Sequence, residues 1–355
     1  MTQYPQILFL RYNGDVNSDS IHLKILSTAT SVPGQGVGSA YLEQINLIKQ
    51  SSEITIVSKR AKKYDLIHVH TINFRYFLKM ILTKKPTVAY VHFLPTTLEN
   101  SIKLPKIIFN IFKWYVKRFY QVADYLVVVN PIFIEPLKYL KIPEDRIIFI
   151  PNYVDPDKFT VKATKADLKK QLNLPRFTVF GVGQVQHRKG ILDFVEVSRR
   201  LPMIDFIWAG GFSFKEITAG YQELKDVMDN PPSNLTFLGI IPREKIGEYY
   251  KAADVFFLPS LDELMPMSVL EAAVLKCPIL LRDLPLYKPV FHDQYLSSSS
   301  VEGFTQILQQ LSTDASYYEA SLKHAKWLVN HYKKSTILAQ WENEYRRMIS
   351  RGKTH

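Results

Sequence analysis

The sequence predicts a doubly wound α/β fold in two domains, and three observations carry that expectation. Its 355 residues, at about 150 per domain, make roughly two units that can each bury a core. Short apolar runs bounded by turn residues alternate with longer helical patterns, which is how a parallel sheet flanked by helices reads. The series is broken once, by Pro151-Asn-Tyr-Val-Asp-Pro-Asp-Lys-Phe159, a turn-rich stretch suited to a hinge. The expected units are residues 1–155, 156–334 and a C-terminal helix over 335–355.

The first unit takes its strands from Ile7–Leu10, Ile54–Val57, Leu66–Val69, Thr87–Val91, Tyr125–Val129 and Ile147–Ile150. The second takes Phe177–Phe180, Asp205–Trp208, Leu235–Leu238, Asp254–Leu258 and Pro278–Leu281. Each run is apolar and too short for a helix. Pro33-Gly-Gln-Gly-Val-Gly38 reads as a loop ahead of a helix over Ser39–Gln50, a backbone that a ligand can approach closely. Pro105 suits a first helical position, and residues 105–121 carry Lys106, Asn110, Lys113, Lys117 and Gln121 on one stripe among apolar and aromatic neighbours. Tyr317–Arg351 reads as one or two helices anchored by Trp327, Tyr332, Trp341 and Tyr345. Residues 12–32 fit neither period, and Ser297–Ser300 is a short low-complexity tract.

Composition removes several classes. Hydrophobic residues at 46% and charged residues at 22% exclude collagen-like and disordered chains. One cysteine, Cys277, allows no internal disulfide and no multi-cysteine metal site, so a reducing, cytoplasmic setting is expected. Lys and Arg outnumber Asp and Glu by 45 to 33, and the excess is uneven, 19 against 11 in residues 1–155 and 26 against 22 in the remainder. Such a surface attracts phosphates, in a nucleotide, a nucleic acid or an anionic bilayer. No run approaches the roughly 18 apolar residues of a membrane span, and Met1–Leu10 lacks the pattern of a signal peptide.

Chemistry concentrates at three places. Asp254 to Glu271 runs from a strand through a loop into a helix beginning near Met267, which places Glu263 in the loop and Glu271 in the first turn. A helix N-terminus at the carboxyl edge of a sheet is an anion site; two carboxylates beside it suit a ligand's hydroxyls. Equally, Ser268-Val-Leu-Glu271 spells a capping box, and Glu263 reads as an exposed loop carboxylate. Phe180-Gly-Val-Gly-Gln-Val-Gln-His-Arg-Lys-Gly190 sets glycines at a strand end before Arg188 and Lys189. The dinucleotide fingerprint fails at Gln186, whereas an Arg-Lys pair fits a diphosphate or is simply solvated. His68, His70 and His92 sit on neighbouring strand patterns without the ligand set of a zinc site, and His92 alone lies at a strand end.

Together these stretches resemble the retaining glycosyltransferases of family 4. Gly36-Val-Gly38, Tyr64-Asp-Leu-Ile-His-Val-His-Thr71, Val88-Ala-Tyr-Val-His92, Ala123–Asn130, Ile150–Phe159 and the glutamates eight apart at 263 and 271 carry the resemblance. It implies the GT-B fold, two Rossmann-like domains facing across a cleft, and leaves room for the C-terminal helix to return to the first domain. It implies that Glu271 binds the nucleotide ribose and Glu263 the donor sugar. Lys189 and Arg188 would hold the diphosphate, His92 would reach the sugar from the first domain, and Gly36 and Gly183 would admit the donor. His92, Glu263 and Lys189 are then the catalytic set, with no metal. Two departures stand out. Gln184 replaces an Arg common in the family, and Pro266 replaces a Gly, which directs the diphosphate to Met267 and Ser268.

The stretches around Gly34–Glu43, Arg188–Gly190 and Glu263–Glu271 look closest to the Gram-positive glycosyl-diacylglycerol synthases. The resemblance implies glucose or galactose moved from a UDP-sugar to a lipid acceptor, monoglucosyl-diacylglycerol favoured. A cell-wall or capsular polysaccharide transferase is the alternative in the class; a nucleotide-binding oxidoreductase and a basic adaptor without catalysis lie outside it. The enzyme is expected on the inner face of the cell membrane, binding anionic lipid and no nucleic acid. Lys106, Lys113, Trp114, Lys117 and Arg118 would make that contact.

Overall fold

The computed structural model describes residues 20–28, 36–94, 105–159, 161–212 and 220–354, with backbone alone at 36, 37, 39, 40 and 106. The expected strand Ile7–Leu10 lies outside them. Two six-stranded parallel sheets organise the chain. The first contains β1 (Ile21–Leu26), β2 (Ile54–Val57), β3 (Leu66–Val69), β4 (Thr87–Val91), β5 (Tyr125–Val128) and β6 (Ile147–Phe149), in the order β2-β1-β3-β4-β5-β6. Its helices are α1 (Gly36–Ile48), α2 (Phe74–Leu82), α3 (Lys106–Val122) and α4 (Ile134–Tyr139).

The second sheet contains β7 (Thr178–Val182), β8 (Asp205–Ala209), β9 (Leu235–Gly239), β10 (Val255–Leu258), β11 (Ile279–Arg282) and β12 (Leu296–Ser298), ordered β12-β11-β10-β7-β8-β9. Around it lie α5 (Lys165–Gln171), α6 (Ile191–Arg200), α7 (Tyr221–Asp229), α8 (Arg243–Ala252), α9 (Met267–Val274), α10 (Lys288–Phe291), α11 (Val301–Thr313) and α12 (Ala315–His331). The last helix, α13 (Lys334–Arg351), goes back to the first domain. There Ser51 Oγ donates to Glu342 (2.6 Å), Arg346 Nε to Glu53 (3.0 Å) and Gln340 Nε2 to the Phe149 carbonyl (2.9 Å). The two crossings touch where Val154 pairs with Lys333.

Two strands depart from the sequence expectation. β1 lies within the stretch that fitted no period, because His22 and Lys24 interrupt its apolar run. Lys24 is nonetheless buried. Its ammonium lies 3.9 Å from the Tyr64 ring centre and donates to the Ala61 carbonyl; burial, with Lys79 nearby, pulls its pKa down to about 8. β12 is a three-residue edge strand inside the serine tract, held by its Leu281–Ser297 register with β11. The chain order also reverses at defined points: β1 has β2 and β3 on either side, and β7 has β10 and β8. Ligands bind at the carboxyl ends of strands beside such reversals.

The first sheet is covered on both faces. One packs Val91, Leu126 and Val128 against Met80 of α2 and Val116, Phe119 and Tyr120 of α3. The other packs Ile25, Val88 and Val127 against Leu47 and Ile48 of α1 and Trp341 and Tyr345 of α13. Each such side chain contributes roughly 1.5–3 kcal/mol. In the second domain Phe194 meets Trp208 at 5.0 Å and Phe257 at 5.4 Å between ring centres.

Candidate active site

The loops that follow β7 and β10 face each other across the reversal in the second sheet, and both carry predicted site residues. Glycine permits their approach at one point: Gly190 has φ +70°, and a side chain there would start 2.2 Å from the Pro259 carbonyl oxygen. The Leu261 N–H then donates to the Arg188 carbonyl (2.7 Å). At Gly183, φ is +154°, and a side chain would press on the Lys189 stem at 3.4 Å. Lys189 is thereby directed at Glu263, and the two form an ion pair. Ser260 Oγ donates to the same carboxylate oxygen at 3.0 Å, and Arg188 stands 4.0 Å from the other.

Glu263 is therefore not the exposed loop carboxylate of the simpler reading, since it is buried. Burial raises its pKa, but the Lys189 and Arg188 charges outweigh it, and the carboxyl is held below its ordinary range. Lys189 is lowered by its own burial, with Glu263 opposing. The pair is not two solvated charges.

Met267 and Ser268 open α9, behind Pro266 at the cap, and no side chain caps the helix. The capping box expected for Ser268 and Glu271 does not form. Pro266 and not Ser268 is the N-cap, so Ser268 lies inside the helix and Glu271 a full turn in rather than in its first turn, past the third position that a box requires. Its carboxylate accepts from the Tyr250 hydroxyl (3.0 Å) and lies 3.6 Å from Arg243, the first residue of α8. Burial raises the Glu271 pKa, against the opposing Arg243 charge. The Met267 and Ser268 N–H groups precede the hydrogen-bond ladder of α9, which starts with the Val269 N–H on the Pro266 carbonyl (3.1 Å), so they, Lys189 and Arg188 offer positive potential on the flank of the two carboxylates.

From the first domain, His92 is connected to this region through its neighbour Tyr90. His92 follows β4 and stacks on Tyr90 at 4.5 Å; Tyr90, Met267, Asn152 and Trp341 line one narrow cleft between the domains. Burial pulls His92 down to about 3, so its imidazole is neutral, and its Nε2 has no partner among the described residues. His68 and His70 stack behind it. Gln44 Nε2 donates to the Tyr345 hydroxyl (3.2 Å), which leaves that hydroxyl's proton for His68 Nδ1 (2.7 Å). Gly36 opens α1 instead of lying in a loop before it, and residues 29–35 are outside the described residues. Among the described residues no cluster of three or more His, Cys, Asp or Glu could hold a metal ion.

Sequence reasoning missed several members. Glu43 of α1 is buried and accepts from Arg243 across the cleft (2.6 Å), which links the first domain to the carboxylate of Glu271 through one guanidinium. Asn130 and Asn152 donate to the Glu263 loop from the other side of the cleft. These contacts join residues more than a hundred positions apart, and no local pattern announces them.

On α3 the structure divides the apolar residues that the sequence grouped together. Val116, Phe119 and Tyr120 are buried, while Ile107, Ile108, Ile111 and Trp114 are exposed. Lys106 opens the helix, Lys113 sits over the Phe109 ring, Lys117 is half-buried and Arg118 exposed. Gln121 leaves the expected polar stripe and donates to the Leu140 carbonyl (2.8 Å). Beside α3, α2 adds Phe74, Leu78, Ile81 and Leu82, all exposed, at an i, i+4, i+7 spacing that the sequence reading did not single out. No helix among the described residues is long and apolar enough to cross a membrane.

Two six-stranded parallel sheets, with loops that meet at a reversal point and a pair of glutamates beside a helix start, give the chain the GT-B architecture of glycosyltransferases. The chain belongs to the family 4/group 1 glycosyltransferases: the family described as Glycosyltransferase Family 4 matches residues 41–158, and Glycosyl transferases group 1 matches residues 164–326. Among relatives, it is 38% identical to the alpha-galactosylglucosyldiacylglycerol synthase of Streptococcus pneumoniae strain ATCC BAA-255 / R6, over 94% of this chain and 91% of that one. It is 28% identical to the processive diacylglycerol alpha-glucosyltransferase of Acholeplasma laidlawii, over 74% of this chain and 78% of that one. Among solved structures, Anabaena HepE in complex with UDP-glucose shares the fold with a TM-score of 0.74 at 14% identity, over 92% of this chain and 99% of that one.

Proposed function

We propose that this glycosyltransferase moves glucose or galactose from a UDP-sugar to a lipid acceptor, monoglucosyl-diacylglycerol, with retention at the anomeric carbon and without a metal ion. The observation that carries the reading is the buried Lys189–Glu263 pair, with Arg188 alongside. As the glycosidic bond breaks, negative charge builds on the departing diphosphate. Lys189, Arg188 and the first N–H groups of α9 are fixed positive groups that lower that barrier without proton transfer. Glu263, kept ionised by the same cations, accepts from sugar hydroxyls, and Glu271 accepts from the ribose. His92, neutral, approaches the sugar from the first domain.

The lipid acceptor is supported by the names of the two relatives and by the surface of α2 and α3. Between Leu66 and Ala123 the chain has nine basic residues and one acidic residue, Glu99. An apolar two-helix face in so basic a stretch of sequence suits the headgroup layer of an anionic bilayer. The reading thus puts the enzyme on the inner face of the cell membrane, in glycolipid or lipoteichoic-acid anchor synthesis. The test is to incubate the protein with UDP-glucose or UDP-galactose, in EDTA, with diacylglycerol, monoglucosyl-diacylglycerol and polyprenyl-diphosphate-sugar acceptors, and to weigh the products. A diglycosyl-diacylglycerol is expected. Glycosylation of the polyprenyl acceptor alone would favour a cell-wall polysaccharide enzyme, and activity only after a divalent ion is restored would remove the metal-free mechanism.

A further inference from the structure

The loop that carries Glu263 is held from two sides. Its first half is fastened within its own domain: Arg282 Nε donates to the Pro259 carbonyl (3.0 Å), and the Leu261 N–H to Arg188 (2.7 Å). Its second half is fastened outside it. Asn130, at the end of the first domain's β5, donates through Nδ2 to the Leu264 carbonyl (2.7 Å) and the Leu286 carbonyl (2.8 Å). Asn152, in the crossing segment, donates through Nδ2 to the Met265 carbonyl (2.9 Å). The Leu264 side chain packs on the first domain's core. Glu263 therefore sits between a half anchored at home and a half anchored across the cleft.

The amide of Asn130 has only one satisfactory orientation. Its Oδ1 accepts from the Ile132 N–H (3.1 Å) and both amide protons meet carbonyls; the reverse would set oxygen against two oxygens and N–H against N–H. The residue is fully buried, so a carbonyl it abandons loses its partner unless water enters. Separation of the domains and relaxation of the Glu263 loop are then one event.

We propose that Asn130 and Asn152 are positioning residues: they shape the Glu263 loop from outside its domain, so that the donor-sugar contact is complete only when the domains are closed. The proposal rests on the assignment of Glu263 to the donor sugar. UDP alone lacks the sugar and is held by groups of the second domain, so the two asparagines act on sugar transfer and not on UDP affinity.

Asn130→Asp tests this closely, because it keeps shape and the Ile132 contact but removes both donors. Turnover with the UDP-hexose that the acceptor panel identifies should fall about tenfold or more, while UDP affinity by calorimetry stays within about twofold. Glu263→Gln should also lower turnover, and the double variant should be no worse than Glu263→Gln alone, since both act through one contact. Independent, multiplying losses, or equal weakening of UDP and the UDP-sugar, would overturn the proposal. Should Asn130→Asp fail to fold, Asn152→Ala removes only the Met265 contact and should give the same pattern at smaller scale. Wild-type turnover in Glu263→Gln would instead remove the Glu263 assignment, and the proposal with it; loss there with none in either asparagine variant would remove the proposal alone.

Discussion

Glu263→Gln isolates a charge whose partner cannot leave. Lys189 and Glu263 side chains are 12% and 8% exposed, so removing the carboxylate strands an ammonium that burial already disfavours. Breaking such a pair costs about 3–5 kcal/mol. The lower end applies here, because the Asp262 charge also favours the Lys189 ammonium and remains in the variant. A loss of about 3 kcal/mol corresponds to a fall in Tm of roughly 6–12 °C for a unit of 150–250 residues.

UDP should reverse that loss. In the native protein a diphosphate must compete with Glu263 for Lys189; in the variant it is the strongest counter-charge on offer. The rise in Tm with saturating UDP should therefore be larger for Glu263→Gln than for the wild type, by about 1.4 kcal/mol for each tenfold gain in affinity, even as turnover falls. Differential scanning fluorimetry with and without UDP, beside a turnover assay, reads both. A UDP-induced shift that shrinks in step with turnover would show that Glu263 supports the diphosphate instead of opposing it, and the division of roles between the two carboxylate sites would fail.

The surface of α2 and α3 predicts sedimentation with phosphatidylglycerol vesicles and much less with phosphatidylcholine; Lys113→Glu with Lys117→Glu should cut binding by thirtyfold or more, at about 1 kcal/mol per basic residue removed. Equal binding to neutral vesicles would remove charge as the cause. Acid should destabilise the first domain. His68 and His92 are lowered by burial to about 3, against roughly 6.5 unfolded, so the stability they contribute is full above pH 6.5 and is lost as pH falls toward 3. At pH 5 the loss is about 2 kcal/mol each, while Glu271, raised by burial, acts in the opposite sense in the second domain; an unfolding midpoint of the first domain in urea that stays level from pH 7 to pH 5 would contradict this.

Ten of the twelve strands follow a residue pattern that survives at short range, and one in each domain does not. Ile54–Val57 or Thr87–Val91 could be read because, Thr87 apart, every buried position is apolar. β1 could not, because Lys24 is buried on the strength of Tyr64 and Ala61, forty positions away, and β12 is too short and serine-rich to stand out without β11 beside it. The site divides in the same way. Lys189, Glu263 and Glu271 lie beside glycines and a strand-to-helix turn, and their chemistry is local. Glu43, Arg243, Asn130 and Asn152 act across the cleft, and each partner is supplied by the other domain.

Glu263 and Glu271 stand eight positions apart, yet the two carboxyls are tuned in opposite directions. Glu263 lies in a loop that two cations can reach, so its charge is stabilised although it is buried. Glu271 is on a helix, where a turn of backbone fixes it against Tyr250 and leaves it one guanidinium at 3.6 Å, itself held by Glu43 at 2.6 Å. Burial then dominates and raises it. A carboxylate kept ionised suits the sugar next to a departing diphosphate. One that shares its cation with Glu43 has unspent capacity to accept, which two ribose hydroxyls can meet without displacing Lys189. The spacing therefore matters because it puts one glutamate before the helix start and the other a turn inside it, on two sides of the same positive end.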